Sequence, residues 1–187
     1  MQEQIKELQK QVMDLPDLKN KVKNLTANLC VIKQACCNKT LAVCPCGYER
    51  FSETPGMCYK FSTKSDMKTY ADARSTCQAD GGHLAMPKDK ATNDFLAKQI
   101  RARDYIFDHA WFGLTDQVQE RTWVWEDGTP LGTGWNNWAQ GPPVAYPFYL
   151  QLHDSVNCAL LAFSSEWFNH QCTASLNYIC EVKATAG

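Results

Sequence analysis

The chain has 187 residues, 44% hydrophobic and 11% aromatic with six Trp, and a formal net charge of −1. That composition excludes a disordered chain, because a domain of about 140 residues buries roughly two thirds of its unfolded surface. The charge is uneven: seven lysines against four acidic residues give +3 over residues 1–43, and the remainder carries −4. Neither part is basic enough to argue for nucleic acid.

Ten cysteines without paired Cys-x-x-Cys knuckles point away from a zinc site and towards an oxidising compartment, hence an extracellular or secreted glycoprotein. The acceptor tripeptides Asn24-Leu25-Thr26 and Asn38-Lys39-Thr40 agree with that compartment. Met1 is followed by Gln2, Glu3, Gln4 and Lys6, so no signal-peptide core is visible, and no run of about 18 apolar residues could span a membrane.

The first element is a neck over residues 1–43. From Ile5 the apolar residues fall at Leu8, Val12, Leu15, Leu18, Val22, Leu25, Leu29 and Ile32, the three-and-four spacing of a coiled-coil seam. The two steps of three from Val12 to Leu18 are a stammer, and Pro16 lies within it. Two short helices are therefore predicted, the second starting near Pro16. Helices shorter than about 12 to 15 residues are marginal alone, so the neck self-associates into a homo-oligomer or packs back onto its own domain. Near the end of the predicted helix stand Cys30, Cys36 and Cys37, with Cys36 four residues after Ile32. Disulfides between chains, local pairs and a pair with Cys46 all remain open there.

After Cys44-Pro45 the pattern changes to short strands and turns. Candidate strands run over Tyr48 to Phe51 and Tyr59 to Phe61, followed by a helix from Tyr70 to Asp80 closed by Gly81-Gly82. A second helix from Asp89 to about Arg103 carries Phe95, Leu96 and Ile100 on one face. Further strands are placed at Trp111 to Leu114, Thr122 to Trp125, Ala159 to Phe163 and Tyr178 to Val182. Helices followed by strands predict an α+β domain over 44–183, with 184–187 as a tail.

Several motifs in this part share one order. Cys44-Pro45 with Gly47-Tyr48 and Cys58-Tyr59 opens it, then come Trp111-Phe112-Gly113-Leu114 and Asn137-Trp138 with Gly141, and Cys158, Trp167, Cys172 and Tyr178-Ile179-Cys180 close it. The series resembles the C-type lectin-like domain over residues 44 to 183. That resemblance implies two helices, mixed antiparallel sheets, a long loop, and the disulfides Cys44–Cys58, Cys77–Cys180 and Cys158–Cys172. Cys46 is an extra in the opening motif and could compete with Cys44 for Cys58.

Sugar-binding members of the family hold calcium through a Glu-Pro-Asn or Gln-Pro-Asp triplet, a Glu before the following Cys, and a Trp-Asn-Asp triplet. Here the matching residues are Pro142-Pro143-Val144, Val156 and Trp167-Phe168-Asn169, so only Asn169 keeps an oxygen among five donors. Calcium takes about six to eight oxygens, and the usual sugar-site calcium is expected to be absent. The family's neighbouring calcium site uses an Asp and a Glu four residues apart, matched by Asp116 and Glu120, with Asn157 as a further donor. The competing reading is that Asp116 and Glu120 line a solvated turn.

The loop Pro142-Pro143-Val144-Ala145-Tyr146-Pro147-Phe148-Tyr149-Leu150 is unusually apolar for a surface connection. Tyr146, Phe148 and Tyr149 offer large contact areas for a sugar face or a protein pocket, unless the segment folds down as a satellite core. Catalysis has little support, because His83, His109, His153 and His170 stand apart and His153-Asp154-Ser155 forms no recognised triad. The sequence thus reads as a recognition module for a glycan or protein ligand and not an enzyme, with a calcium-dependent lectin using a rearranged site and a structural matrix protein as alternatives.

Overall fold

The computed structural model describes Lys21, Asn24, Leu25 and residues 44–103, 109–139 and 156–185. Those first three residues are helical and exposed. The rest of the predicted neck, the pairing of its cysteines and the apolar loop lie outside the described residues.

The N-terminal strands are β1 (Glu49–Arg50), β2 (Met57–Phe61) and β3 (His83–Leu84). The C-terminal ones are β4 (His109–Thr115), β5 (Val124–Trp125), β6 (Cys158–Ala162), β7 (Trp167–His170) and β8 (Asn177–Lys183). One eight-stranded sheet contains them in the order β1-β2-β8-β4-β6-β7, with β3 paired to β8 and β5 to β4. All pairings are antiparallel except β4 with β8. The α+β prediction holds, as a single mixed sheet and not several. β3 and β7 have no counterpart among the predicted strands, since two and four residues are too short for a period to show.

The sheet has two buried faces, and alternation decides which residue meets which layer. On β4, Ala110, Phe112 and Leu114 enter one core cluster while Trp111 enters the other. Likewise Leu161 and Ile179 share the first cluster, Leu160 and Tyr178 the second. Strands buried on both faces read as continuous apolar runs, which is why Trp111 to Leu114 showed no alternation in sequence.

Helix α1 (Tyr70–Ala79) buries Tyr70, Ala73 and Cys77, and helix α2 (Lys90–Arg101) buries Phe95, Leu96 and Ile100 together with the polar Asn93. Both start at oxygen-bearing caps. The Thr69 hydroxyl accepts from the Asp72 amide at 3.2 Å, and the Asp89 carboxylate from the Thr92 amide at 2.8 Å. Such caps satisfy helix-end amides and contribute about 1 kcal/mol each. Gly81, at φ +81, takes the left-handed turn that ends α1.

The disulfides close as the resemblance implied, joining Cys44 to Cys58, Cys77 to Cys180 and Cys158 to Cys172. The competition of Cys46 for Cys58 is not realised: Cys44 takes Cys58, and Cys46 is disulfide-bonded elsewhere. The Cys77–Cys180 bond ties α1 to the central strand β8. At the C-terminus the tail begins as part of the domain, because the Ala184 amide donates to the Gly56 carbonyl at 2.9 Å.

Candidate ligand-binding site

The candidate site is built where β4 ends, β6 begins and β7 runs beside it. Strand β6 starts at Cys158, paired with Thr115 on one side and His170 on the other. Residues 140–155 lie outside the described residues, so Tyr146, Phe148 and Tyr149 receive no placement.

Asp116, Glu120 and Asn157 are brought together. The Asp116 amide donates to the Asn157 carbonyl at 3.1 Å, and the Thr115 hydroxyl donates to that same oxygen at 2.6 Å. The Asn157 side-chain amide donates to Glu120 Oε2 at 3.0 Å. Asp116 Oδ2 accepts from the Arg121 amide at 2.8 Å, an approach made possible by the left-handed backbone of Arg121 at φ 64.

Asp116 is only 4% exposed, and its Oδ1 has no hydrogen-bond partner among the described residues. Burial pushes its carboxyl above the usual carboxylate range, and the Glu120 charge beside it adds to the rise. The solvated-turn reading therefore fits Glu120, which is exposed, and does not fit Asp116.

Asn169 sits across the same strand end with its side-chain amide donating to the Val156 carbonyl at 3.0 Å, and its buried Oδ1 likewise has no partner among the described residues. Around it stand Val156 at 7% and Phe168 at 6% exposure. These two side chains supply no oxygen where the sugar-bridging calcium would need carboxylates, so the residues present there do not fit that ion. The fit is partial at the neighbouring position, where Asp116, Glu120 and Asn157 offer three donors and the others would have to come from 140–155. Among the described residues no group of three or more His, Cys, Asp or Glu could hold a metal.

An aromatic cluster packs around the start of β7. Trp167, fully buried, has its ring 5.0 Å from Phe112, 5.4 Å from Trp135 and 5.5 Å from Trp138. Its backbone accepts from the Ala139 amide at 3.0 Å and donates to the Asn137 carbonyl at 2.9 Å, fixing the segment that leads into the long loop. Two residues escaped the sequence reading. Asn93 on α2 holds the Trp167 indole, and its only signal was a polar residue on the apolar face of a predicted helix. Val118, 96% exposed in the turn between Asp116 and Glu120, gave no signal, because an isolated valine between polar residues is ordinary.

The histidines are not gathered: His83 lies on β3 facing Glu181 at 3.5 Å, His109 on β4 and His170 on β7. His153-Asp154-Ser155 lies outside the described residues.

A two-faced sheet, two capped helices and three disulfides define a small stapled α+β domain. The chain belongs to the C-type lectin domain family, whose model matches residues 66–182. It is 30% identical over 180 residues, 94% of this chain, to C-type lectin domain family 10 member A of Mus musculus. It is 34% identical over 117 residues, 61% of this chain, to Collectin-10 of Gallus gallus. The chain spans 54% and 38% of those two relatives' lengths.

Among solved structures, the mouse scavenger receptor C-type lectin carbohydrate-recognition domain superposes with a TM-score of 0.62 at 29% identity, covering 77% of this chain and 99% of that one. The carbohydrate-recognition domain of cow CD23, solved in the presence of a GlcNAc2Man3 oligosaccharide, gives a TM-score of 0.62 at 26% identity, covering 78% and 99%. These proteins bear lectin and receptor names, as befits a family that is generally not enzymatic.

Proposed function

We propose that this chain is an extracellular recognition module, presented in several copies by its neck, that binds a glycan or protein ligand without the usual calcium bridge to sugar. The observation that carries this reading is the apolar pair Val156 and Phe168 beside Asn169, since a bridging calcium at that strand end would find one neutral amide oxygen in place of a carboxylate set. Contact falls to the aromatic loop residues Tyr146, Phe148 and Tyr149, with Asn169 at the base and exposed Val118 on the adjoining turn. The carbohydrate-recognition domains it resembles favour the glycan arm. The disulfide framework favours an oxidising, extracellular setting. Several copies on one neck would raise weak single-site affinity through effective concentration.

A second reading, a calcium-dependent lectin with a rearranged site, has its own support in the unpartnered Oδ1 of buried Asp116 beside Glu120 and Asn157. Calorimetric titration of the metal-stripped full chain with calcium, repeated with a panel of simple sugars, separates the two. Sugar heat that persists in chelator, or no heat with either, leaves the calcium-independent module, glycan-binding in the first case and a candidate for protein partners in the second. Sugar heat that requires calcium and disappears in Asp116→Asn establishes the second reading.

A further inference from the structure

Helix α1 has a second face that the core does not use. Tyr70, Ala73 and Cys77 are buried, whereas Asp72, Ser75, Thr76 and Ala79, spaced three and four apart, line an open groove of about 670 Å³. Met67 and Lys68 before the helix and Ser175 before β8 help to complete its lining. The volume falls within the roughly 300 to 1,000 Å³ of small-molecule sites, and the lining shares no residue with the candidate site around Asp116 and Asn169. We propose that this groove is a second contact for a glycan, one that takes an uncharged, hydroxyl-rich sugar unit along α1 without calcium.

The groove's walls are tied to the domain without help from a ligand. The Lys68 amide donates to the Leu176 carbonyl at 2.9 Å, and the Leu176 amide donates back to the Lys68 carbonyl at 3.0 Å. The Trp111 indole donates to that same Lys68 oxygen at 3.1 Å. The Tyr70 amide donates to the Cys172 carbonyl at 3.0 Å, and Cys77–Cys180 joins the helix to β8. A groove already formed spares part of the ordering cost of binding.

The chemistry of the lining selects the ligand. Lys68 Nζ is paired with Asp66 at 2.7 Å, and Asp80, at the end of the helix, with Lys60 at 2.6 Å. Asp72 accepts from the Thr69 hydroxyl at 2.7 Å and has no ion pair among the described residues. The exposed Ser75 and Ser175 hydroxyls make no hydrogen bond among the described residues. An anionic ligand would meet Asp72 and Asp80, and a cationic one Lys68 with Lys60 behind Asp80, so a net charge of either sign is repelled. A sugar hydroxyl donates and accepts at once, which suits two carboxylates interleaved with an ammonium and two uncommitted serine hydroxyls. Met67 and Ala79 supply apolar surface for the ring's C–H groups. Two carboxylates in the lining make no calcium cage, so binding there does not depend on the ion. Without an aromatic ring to stack on, affinity for one sugar unit is weak, on the order of 1 to 10 mM. The inference rests on the glycan arm of the proposed function.

The test is amide NMR of the 15N-labelled full chain in EDTA, titrated with the methyl glycosides of mannose, galactose and N-acetylglucosamine to about 50 mM, well above the expected dissociation constant. At least one of the three is expected to shift the amides of Asp72, Ser75, Thr76 and Ser175. Glucuronate and glucosamine, which carry a charge, should shift them less at the same concentration. Ser75→Tyr fills the groove from an exposed helix position, and it is expected to weaken binding at least about tenfold while leaving the urea unfolding midpoint in place.

Shifts on α1 that survive Ser75→Tyr, or that are larger with a charged sugar, would overturn the inference. Shifts confined to residues 140–157 and Asn169 sink the groove and leave the glycan arm of the proposed function standing. No shift anywhere with any of the three glycosides sinks the groove and the glycan arm together.

Discussion

Asn93 is the residue whose removal tests how the buried Trp167 is held. Its side chain is fully buried on α2, where Oδ1 accepts from the Trp167 indole Nε1 at 2.6 Å and Nδ2 donates to the Ser165 carbonyl at 2.8 Å. That carbonyl also accepts from Asn137 Nδ2 at 2.7 Å, so it keeps one partner when Asn93 is truncated. The indole N–H does not, and a buried donor left unsatisfied costs about 1 to 3 kcal/mol. With the small void left by the amide, Asn93→Ala is expected to cost about 2 to 4 kcal/mol.

Asn137→Ala removes a partner from an oxygen that retains another, for about 0.5 to 1.5 kcal/mol. The double variant orphans the carbonyl altogether and should exceed the sum of the two single effects. The assay is urea unfolding followed by tryptophan fluorescence, in which a slope near 2 kcal/mol/M turns the Asn93→Ala loss into a midpoint shift of about 1 to 2 M at constant slope. A loss below about 0.5 kcal/mol, or strictly additive single variants, would show that the indole finds another acceptor and refute the reasoning.

Other expectations follow from single contacts. Burial raises the Glu181 carboxyl above its ordinary value, although His83 at 3.5 Å, the Met86 amide at 3.0 Å, Tyr59 and Lys88 all face it and oppose the rise. A raised acid contributes stability that is fully present below its unfolded value of 4.5 and lost as pH rises through the folded one. The stability of the parent relative to Glu181→Gln should therefore decline from pH 4 towards neutrality, and a flat difference in urea midpoints across that range would contradict this assignment. A Cβ on Gly113 would lie 2.7 Å from both the Leu84 carbonyl oxygen and Glu126 Cγ. Gly113→Ala is thus expected to cost about 1 to 3 kcal/mol, read as a lowered unfolding midpoint. Replacing Cys77 and Cys180 together by Ala opens a link across 103 residues and should cost about 4 to 5 kcal/mol, against about 3 for Cys158 with Cys172 across 14, in paired denaturant titrations.

Both helices were legible to within two residues because each carries an oxygen-bearing cap at its start and an apolar stripe behind it, Thr69 before Tyr70 and Asp89 before Lys90. The central strands were legible as apolar runs but not in their bounds. Strand β4 extends back to His109, and it carries extra residues against β6 between Trp111 and Thr115, a bulge set by tertiary pairing. Gly113 lies in that bulge and donates its amide to Ala85 of the adjoining segment instead of to β6. Strands β3 and β7 were invisible, since their pairing partners, not their own residues, make them strands.

Covalent chemistry and residue type were determined by the sequence itself: the ordered cysteines and aromatics that mark the family, the apolar Val156 and Phe168, and the surviving oxygens of Asp116, Glu120, Asn157 and Asn169. These are properties of a residue at its place in the chain and need no neighbours to be read. What only the tertiary structure decided is which oxygens are free. Asp116 and Glu120 look equivalent in sequence, yet the turn through Arg121 buries the first with an unpartnered oxygen while the second pairs with Asn157 at the surface. Burial and hydrogen bonding are set by residues tens of positions away, and for that reason the charge state and partners of a carboxylate appear only when the chain has folded.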